Sequence, residues 1–159
     1  MEIILREGKK SDMESILLLI KELATFEKES DAVEVTKDDL ERDGFGDVPA
    51  FKVFVAEQQD VIIGMALFYE RYSTWKGRSI HLEDLIVKQE YRNKGVGKAL
   101  YTKVLSYAHD RNLRRVSWEV LDWNKVAIDF YVSTGASIMP GWQVVHMNER
   151  SLQAYAKET

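Results

Sequence analysis

Between Arg92 and Lys98 the chain reads R-N-K-G-V-G-K, which places two glycines and three cations within seven residues. Gly95 and Gly97 open a segment in which Val96, Ala99, Leu100, Val104, Tyr107 and Ala108 recur at a helical period. An apolar strand, residues 85–87, precedes it. A helix that starts in this way offers free backbone N–H groups and the positive end of its dipole. Arg92, Lys94 and Lys98 add side-chain charge at the same spot. The expected chemistry is the grip of an anion, a pyrophosphate in particular. A helix start merely eased by glycine has the same spacing, and the cations and the flanking strand weigh against it. Two better-known glycine loops do not fit. A Walker A loop would need glycine at Arg92 and Ser or Thr at Ala99, and a dinucleotide fingerprint would need glycine at Leu100.

The elements that must hold this motif follow in order. Residues 2–7 predict a strand. Ser11 and Glu14 form a capping box for a helix through about Glu27, with Met13, Ile16, Leu17, Ile20, Leu23 and Ala24 on one apolar stripe. Thr36 caps a short helix to Arg42, ended by the glycines at 44 and 46. Residues 51–58 and 61–72 flank Gln59-Asp60 as a hairpin, and residues 79–87 add a third strand. After the motif helix, residues 116–121 alternate as a strand. A helix then runs from an Asn124 N-cap to a Gly135 stop. Residues 136–139 and 142–148 read as short final strands, and a partly frayed helix closes the chain. These connections predict an α+β fold with a central mixed, mostly antiparallel sheet flanked by helices.

Composition narrows the rest. The 159 residues suit one domain, 1–159, with a genuine core. No cysteine is present, which excludes disulfides, thiolate metal sites and a cysteine nucleophile. The N-terminus is not patterned as a signal peptide, and the longest apolar run, residues 61–69, is too short to span a bilayer. A cytoplasmic protein is therefore expected, with no membrane partner. The net charge of −4 argues against nucleic acid as a partner. His81, His109 and His146 lack metal-ligand spacing and are read as structural, so no metal is expected. Residues 27–43 carry eight acids against three basic residues. Such a run is either a solvated face or a field that gathers cationic amines.

The motif R-x-x-G-x-G resembles motif A of the GNAT superfamily, the acetyl-CoA-dependent N-acetyltransferases. HLEDLIV (81–87), DGFGD (43–47), YSTWKGR (72–78) and VLDWN (120–124) sharpen the resemblance towards the diamine acetyltransferases and their thialysine N-acetyltransferase branch. It implies that Arg92, Asn93, Lys94, Gly95, Val96, Gly97 and Lys98 hold the pyrophosphate of acetyl-CoA. It also implies that the pantetheine runs along Leu85, Ile86 and Val87, where the strand after the motif helix splays away. Asn124 and Val126 would contact the same cofactor.

The catalytic roles come from the resemblance as well. Tyr131 would protonate the departing CoA thiolate, and Glu83 would accept the proton of the amine, directly or through water. Core packing is the competing role for Tyr131, and simple exposure for Glu83. Strand alternation sends Glu83 and Asp84 to opposite faces. Glu27, Lys28, Asp84 and Glu119 match substrate-facing positions. Trp75 and Trp123 would press on an aminoalkyl chain, although ordinary packing explains them equally. Ser73 stands where polyamine acetyltransferases carry an aspartate, and Pro140 where they carry a second acid. A polycation thus loses two anchors, whereas Ser73 and Thr74 hydroxyls suit the carboxylate of an amino acid such as thialysine. The resemblance further implies a homodimer with composite sites. Acetylation of polyamines or of protein amines, or a non-catalytic acyl-CoA-binding module, are the alternatives.

Overall fold

Gln59 and Asp60 both adopt positive φ, 51° and 61°, as the tight turn of a right-twisted hairpin requires. They join β2 (Lys52–Gln58) to β3 (Val61–Ser73) in the computed structural model, which describes residues 2–157. With β1 (Ile4–Glu7), β4 (Gly77–Val87) and β5 (Val116–Ser117) they form one sheet in the order β1-β2-β3-β4-β5. Pairing is antiparallel as far as β4 and parallel between β4 and β5. This is the mixed, mostly antiparallel sheet that the connections predict. The chain divides into two compact units, one through Glu119 and one from Val120.

In the first unit helices cover both faces of the sheet. Met13, Ile16 and Leu19 of α1 (Met13–Phe26) are buried against Val53, Val55, Ile62, Met65, Leu67 and Ile86. Leu40 of α2 (Lys37–Phe45) closes that core. Alternation along β3 turns Phe68 to the other face. There Tyr107 of α3 (Val96–Asp110) meets Phe54 and Phe68 edge-on, at 6.1 and 5.0 Å. Gly64 sets how closely α3 settles. A Cβ at this position would lie 2.9 Å from the Ile86 carbonyl oxygen and 3.3 Å from Leu100 Cδ1.

Three expectations about these elements change. Ser11 does not cap α1: it lies in a 3₁₀ turn (Lys10–Asp12), and Asp12 takes the N-cap position. The Asp12 carboxylate accepts from Arg6 Nη1 (2.7 Å) and the Lys9 N–H (2.7 Å) instead of from the amides of α1. Arg6 also binds Glu57, so this ion network ties β1 and β2 to the start of the helix. The Thr36 cap holds, its Oγ1 accepting from the Asp39 N–H at 3.2 Å, but α2 continues to Phe45. Gly44 is retained inside that helix because the Phe51 ring sits 2.5 Å from where its Cβ would be. β5 stops at Ser117, because only Val116 and Ser117 face partners on β4.

In the second unit, Asn124 caps α4 (Lys125–Ser133) by accepting from the Ala127 N–H at 3.3 Å. Gly135 (φ 97°) ends it, with Gly135 N–H bonding Val132 and Ala136 N–H bonding Tyr131. Residues 136–139 and 142–148 are not strands, and α5 (Glu149–Lys157) follows them. Ile138, Val144 and Val145 have the β-branched character of strand residues, but a ladder needs a partner edge, and this unit supplies none among the described residues.

Gly64→Ala is expected to lower stability by about 1–3 kcal/mol, because backbone rather than a mobile side chain blocks the added methyl. Urea denaturation checks this, and an unchanged midpoint would show that α3 gives way freely.

Candidate active site

β4 loses its outer neighbour after His81, the last residue opposite β5. Beyond it, Leu82 to Val87 form an edge with no strand beside it among the described residues. The register against β3 slips at the same level. Leu82 faces Phe68 and Asp84 faces Leu67, so Glu83 is the extra residue of a bulge. The bulge corrects the sequence expectation that Glu83 and Asp84 point to opposite faces. Glu83 accepts a hydrogen bond from Tyr69 Oη at 2.9 Å, on the face that carries Tyr69 and His81. Asp84 lies opposite Leu67, whose side chain belongs to the α1 core. Both carboxylates therefore turn towards the α1 side of the sheet.

A third acid comes from α1 itself. Glu27 stands at its C-cap, and partial loss of water raises its carboxyl above the ordinary range. Asp84 is pushed up to about 6, first by burial and then by the charges of Glu83 and Glu27. Acids whose charges act on one another in this way form a site that a protonated amine would relieve. Lys28, just beyond Glu27, takes a left-handed φ of 65°.

The glycine motif occupies the turn at the end of the same strand. The Arg92 side chain folds back: its Nε donates to the Val87 carbonyl at 2.9 Å, and its guanidinium meets Glu22 and lies over the Phe26 ring. Arg92 thus links the end of β4 to the last turns of α1, the helix that also delivers Glu27. Lys94 donates to the Glu90 carbonyl and lies over Tyr91, so two of the three expected cations are engaged in shaping the turn. Gly95 takes φ 81° as the N-cap of α3, a conformation that disfavours any side chain. Ala99 N–H closes the first helical bond, to Gly95, which leaves the amides of Val96, Gly97 and Lys98 without an intrahelical acceptor. A Cβ on Gly97 would make only ordinary contact with Val87 Cγ2, at 3.6 Å. Packing therefore does not demand glycine there, whereas an unobstructed approach to the amides does. These features fit an anionic phosphate group. Ile86 and Val87 bury their side chains, so a ligand along β4 meets their backbone.

The other expected residues belong to other elements. Ser73, Thr74 and Trp75 occupy the β3–β4 hairpin tip, where Ser73 pairs with Gly77. Six residues of strand separate Gly77 from Glu83, about 20 Å. Ser73 Oγ accepts from the Trp75 and Lys76 amides at 3.2 and 3.1 Å and from Arg115 Nη1 at 3.3 Å. Glu119 is exposed at the end of the first unit and adds negative potential at Tyr69. Trp123, Asn124, Val126 and Tyr131 belong to the second unit. Asn124 caps α4 with its side chain, Trp123 and Val126 are exposed, and the half-buried Tyr131 ring lies 5.4 Å from that of Phe130. The sequence reading missed Tyr69, Arg71 and Ser117, and it took His81 as structural. His81 stands two residues from Glu83 in a strand, which was the available signal. Its cross-strand neighbours depend on a register that sequence does not display.

The Acetyltransferase (GNAT) family model matches residues 14–136, which include the glycine motif, the bulged strand and Tyr131. The chain is a GNAT acetyltransferase. It is 39% identical to the thialysine N-epsilon-acetyltransferase of Bos taurus, with 97% of each chain covered. In fold it is similar to an integron cassette protein from the mobile metagenome of V. cholerae (TM-score 0.80, 24% identity, 99% of each chain). It is also similar to an aminoglycoside N-acetyltransferase solved in complex with CoA (TM-score 0.71, 20% identity, 94% of this chain and 95% of that one). Membership makes this chain an enzyme of N-acetyl transfer. Among the described residues no group of three or more His, Cys, Asp or Glu is placed to hold a metal. No helix among them is long and apolar enough to cross a membrane.

Asp84 gives the site a measurable signature. Its pKa in the folded protein lies above the ordinary value, so its contribution to stability is complete below about pH 4 and is lost as pH rises through about 6. Asp84→Asn is therefore expected to stabilise the amine-free enzyme by about 1–3 kcal/mol near pH 8 and to have little effect near pH 4. Urea denaturation at the two pH values checks this; an equal gain at both would exclude the carboxylate as the cause.

Proposed function

We propose that this GNAT enzyme transfers acetyl from acetyl-CoA to the primary amine of a small lysine-like or diamine substrate, with thialysine-type substrates preferred. The observation that carries the reading is one end of β4. There the open amides of Val96, Gly97 and Lys98 and the acids Glu83, Asp84 and Glu27 are joined through the last turns of α1. The amides and Lys98 would grip the pyrophosphate, and the β4 edge would take the pantetheine amides. Acetyl-CoA would supply an activated acyl carbon.

A lysine-like amine of pKa about 10.4 is only about 0.1% neutral near pH 7.4, so a base has real work to do. Glu83 takes that role and Tyr131 gives a proton to the leaving sulfur. The acids hold the ammonium form on arrival. In thialysine the sulfur two carbons from the amine withdraws electron density and raises the neutral fraction. The 39% identity to a thialysine N-epsilon-acetyltransferase supports this substrate class.

The hairpin tip bears on assembly. About 20 Å of strand is more than one lysine-like molecule spans, so Ser73, Thr74 and Trp75 act on substrate only at the site of a second copy. We therefore place the enzyme as a homodimer with composite sites, in which the Arg115 guanidinium beside Ser73 adds charge for a substrate carboxylate. Exposed Ile138, Met139, Trp142, Val144, Val145 and Met147 offer apolar surface for that assembly.

With acetyl-CoA as donor, kcat/KM should be higher for thialysine than for spermidine, and Tyr131→Phe should lose about 10²-fold or more in kcat while its CoA dissociation constant is unchanged. A preference for spermidine sinks the substrate class, and full activity in the Phe variant removes Tyr131 as the acid.

A further inference from the structure

Behind Glu83 lies a group of side chains to which the reaction as described assigns no part. His81, 7% exposed, packs its ring 5.4 Å from that of its cross-strand partner Tyr69. Its Nδ1 is 3.3 Å from Arg71 Nη1 and 3.1 Å from Ser117 Oγ. Its Nε2 is 3.5 Å from Glu83 Oε2, the oxygen that already accepts from Tyr69.

Arginine has five N–H donors and no acceptor, so an imidazole nitrogen facing it must supply the lone pair. Ser117 can donate to the same nitrogen and does not oppose that choice. The ring proton of neutral His81 is thus on Nε2, directed at the Glu83 carboxylate. The opposite tautomer would set N–H against N–H at Arg71 and a lone pair against the carboxylate. Tyr69 remains a donor, since burial and its bond to Glu83 push its hydroxyl up to about 12. Glu119 adds negative potential at Tyr69, and Arg71 opposes it.

We propose that Arg71 and His81 are positioning residues for Glu83: Arg71 fixes the Nε2–H tautomer of His81, and His81 with Tyr69 holds Oε2 so that Oε1 is presented to the amine. The bulge makes the arrangement necessary. An extra residue has no ladder partner of its own, and the Glu83 side chain is half exposed, so side-chain donors must orient it. The 3.5 Å separation from His81 is of the kind that tightens when substrate binds. Positioning of Glu83 matters for catalysis only if Glu83 is the base, and to that extent the inference rests on the function proposed above.

The test uses the full-length enzyme, with acetyl-CoA and thialysine as substrates. Long-range proton–nitrogen NMR of labelled protein reads the tautomer directly. The chain has three histidines, and loss of one signal set in His81→Gln assigns it. The expected result is Nε2–H in the wild type and a mixture of tautomers in Arg71→Met. Arg71→Met should also lose about tenfold in kcat, part of what a positioned base contributes, with the KM for acetyl-CoA unchanged. Arg71→Lys, which retains a cationic donor, should restore the tautomer and most of the rate.

A glutamine amide nitrogen overlies imidazole Nε2 and an asparagine amide nitrogen overlies Nδ1. His81→Gln should therefore remain clearly more active than His81→Asn, a contrast that simple loss of packing does not produce. An Nδ1–H tautomer in the wild type, or equal activity of the Gln and Asn variants, overturns the proposal. Full turnover in Glu83→Gln, with the wild-type tautomer as expected, would instead refute Glu83 as the base and leave the hydrogen-bonded arrangement standing.

Discussion

The release of β4 from its parallel neighbour after His81 is the constraint on which the site depends. A strand paired on both edges has no spare amides, and an unbroken ladder allows no extra residue. Where β5 ends, β4 can bulge at Glu83 without losing a second set of pairings, and its outer edge is open to a ligand. Two residues of parallel pairing anchor the strand just upstream, so the freedom begins at a defined point. Downstream, Gly64 brings α3 close against the same strand, and the helix N-terminus has a fixed position relative to the bulge.

The site is costly to keep in the absence of substrate. The bulge turns Glu83 and Asp84 to one face, and α1 brings Glu27 to the same neighbourhood. Burial, and then repulsion from Glu83 and Glu27, displaces the Asp84 equilibrium towards its protonated form. Such a site gains selectivity for cations because an uncharged ligand does nothing to relieve it. The α1 core beneath it, built on Met13, Ile16, Leu19 and Ile86, supplies the apolar burial that offsets this local cost.

What the sequence disclosed follows from the range over which each signal acts. The glycine motif, the Thr36 and Asn124 caps, the Gln59-Asp60 turn and the Gly135 stop are local backbone requirements, and each was legible in a few residues. The Ser11 cap was not: its competitor Asp12 is recruited by Arg6 from another element, together with Glu57, 51 residues further along the chain from Arg6. The bulge at Glu83 was also hidden, since it exists only as a mismatch between two strands and neither strand's alternation betrays it. The same holds for the group around His81. The final segments, 136–139 and 142–148, have a strand's residue types without a strand's partner, because strand propensity and ladder formation are separate conditions.

Arg92 has a consequence for how the motif tolerates variation. Its Nε–H is committed to the Val87 carbonyl and its charge to Glu22. The first of these bonds asks only for a neutral donor on a side chain long enough to double back. Glutamine meets that demand, so this bond by itself does not require arginine at position 92. At this corner of the molecule the residue works as a splint, holding the end of β4 to the last turns of α1.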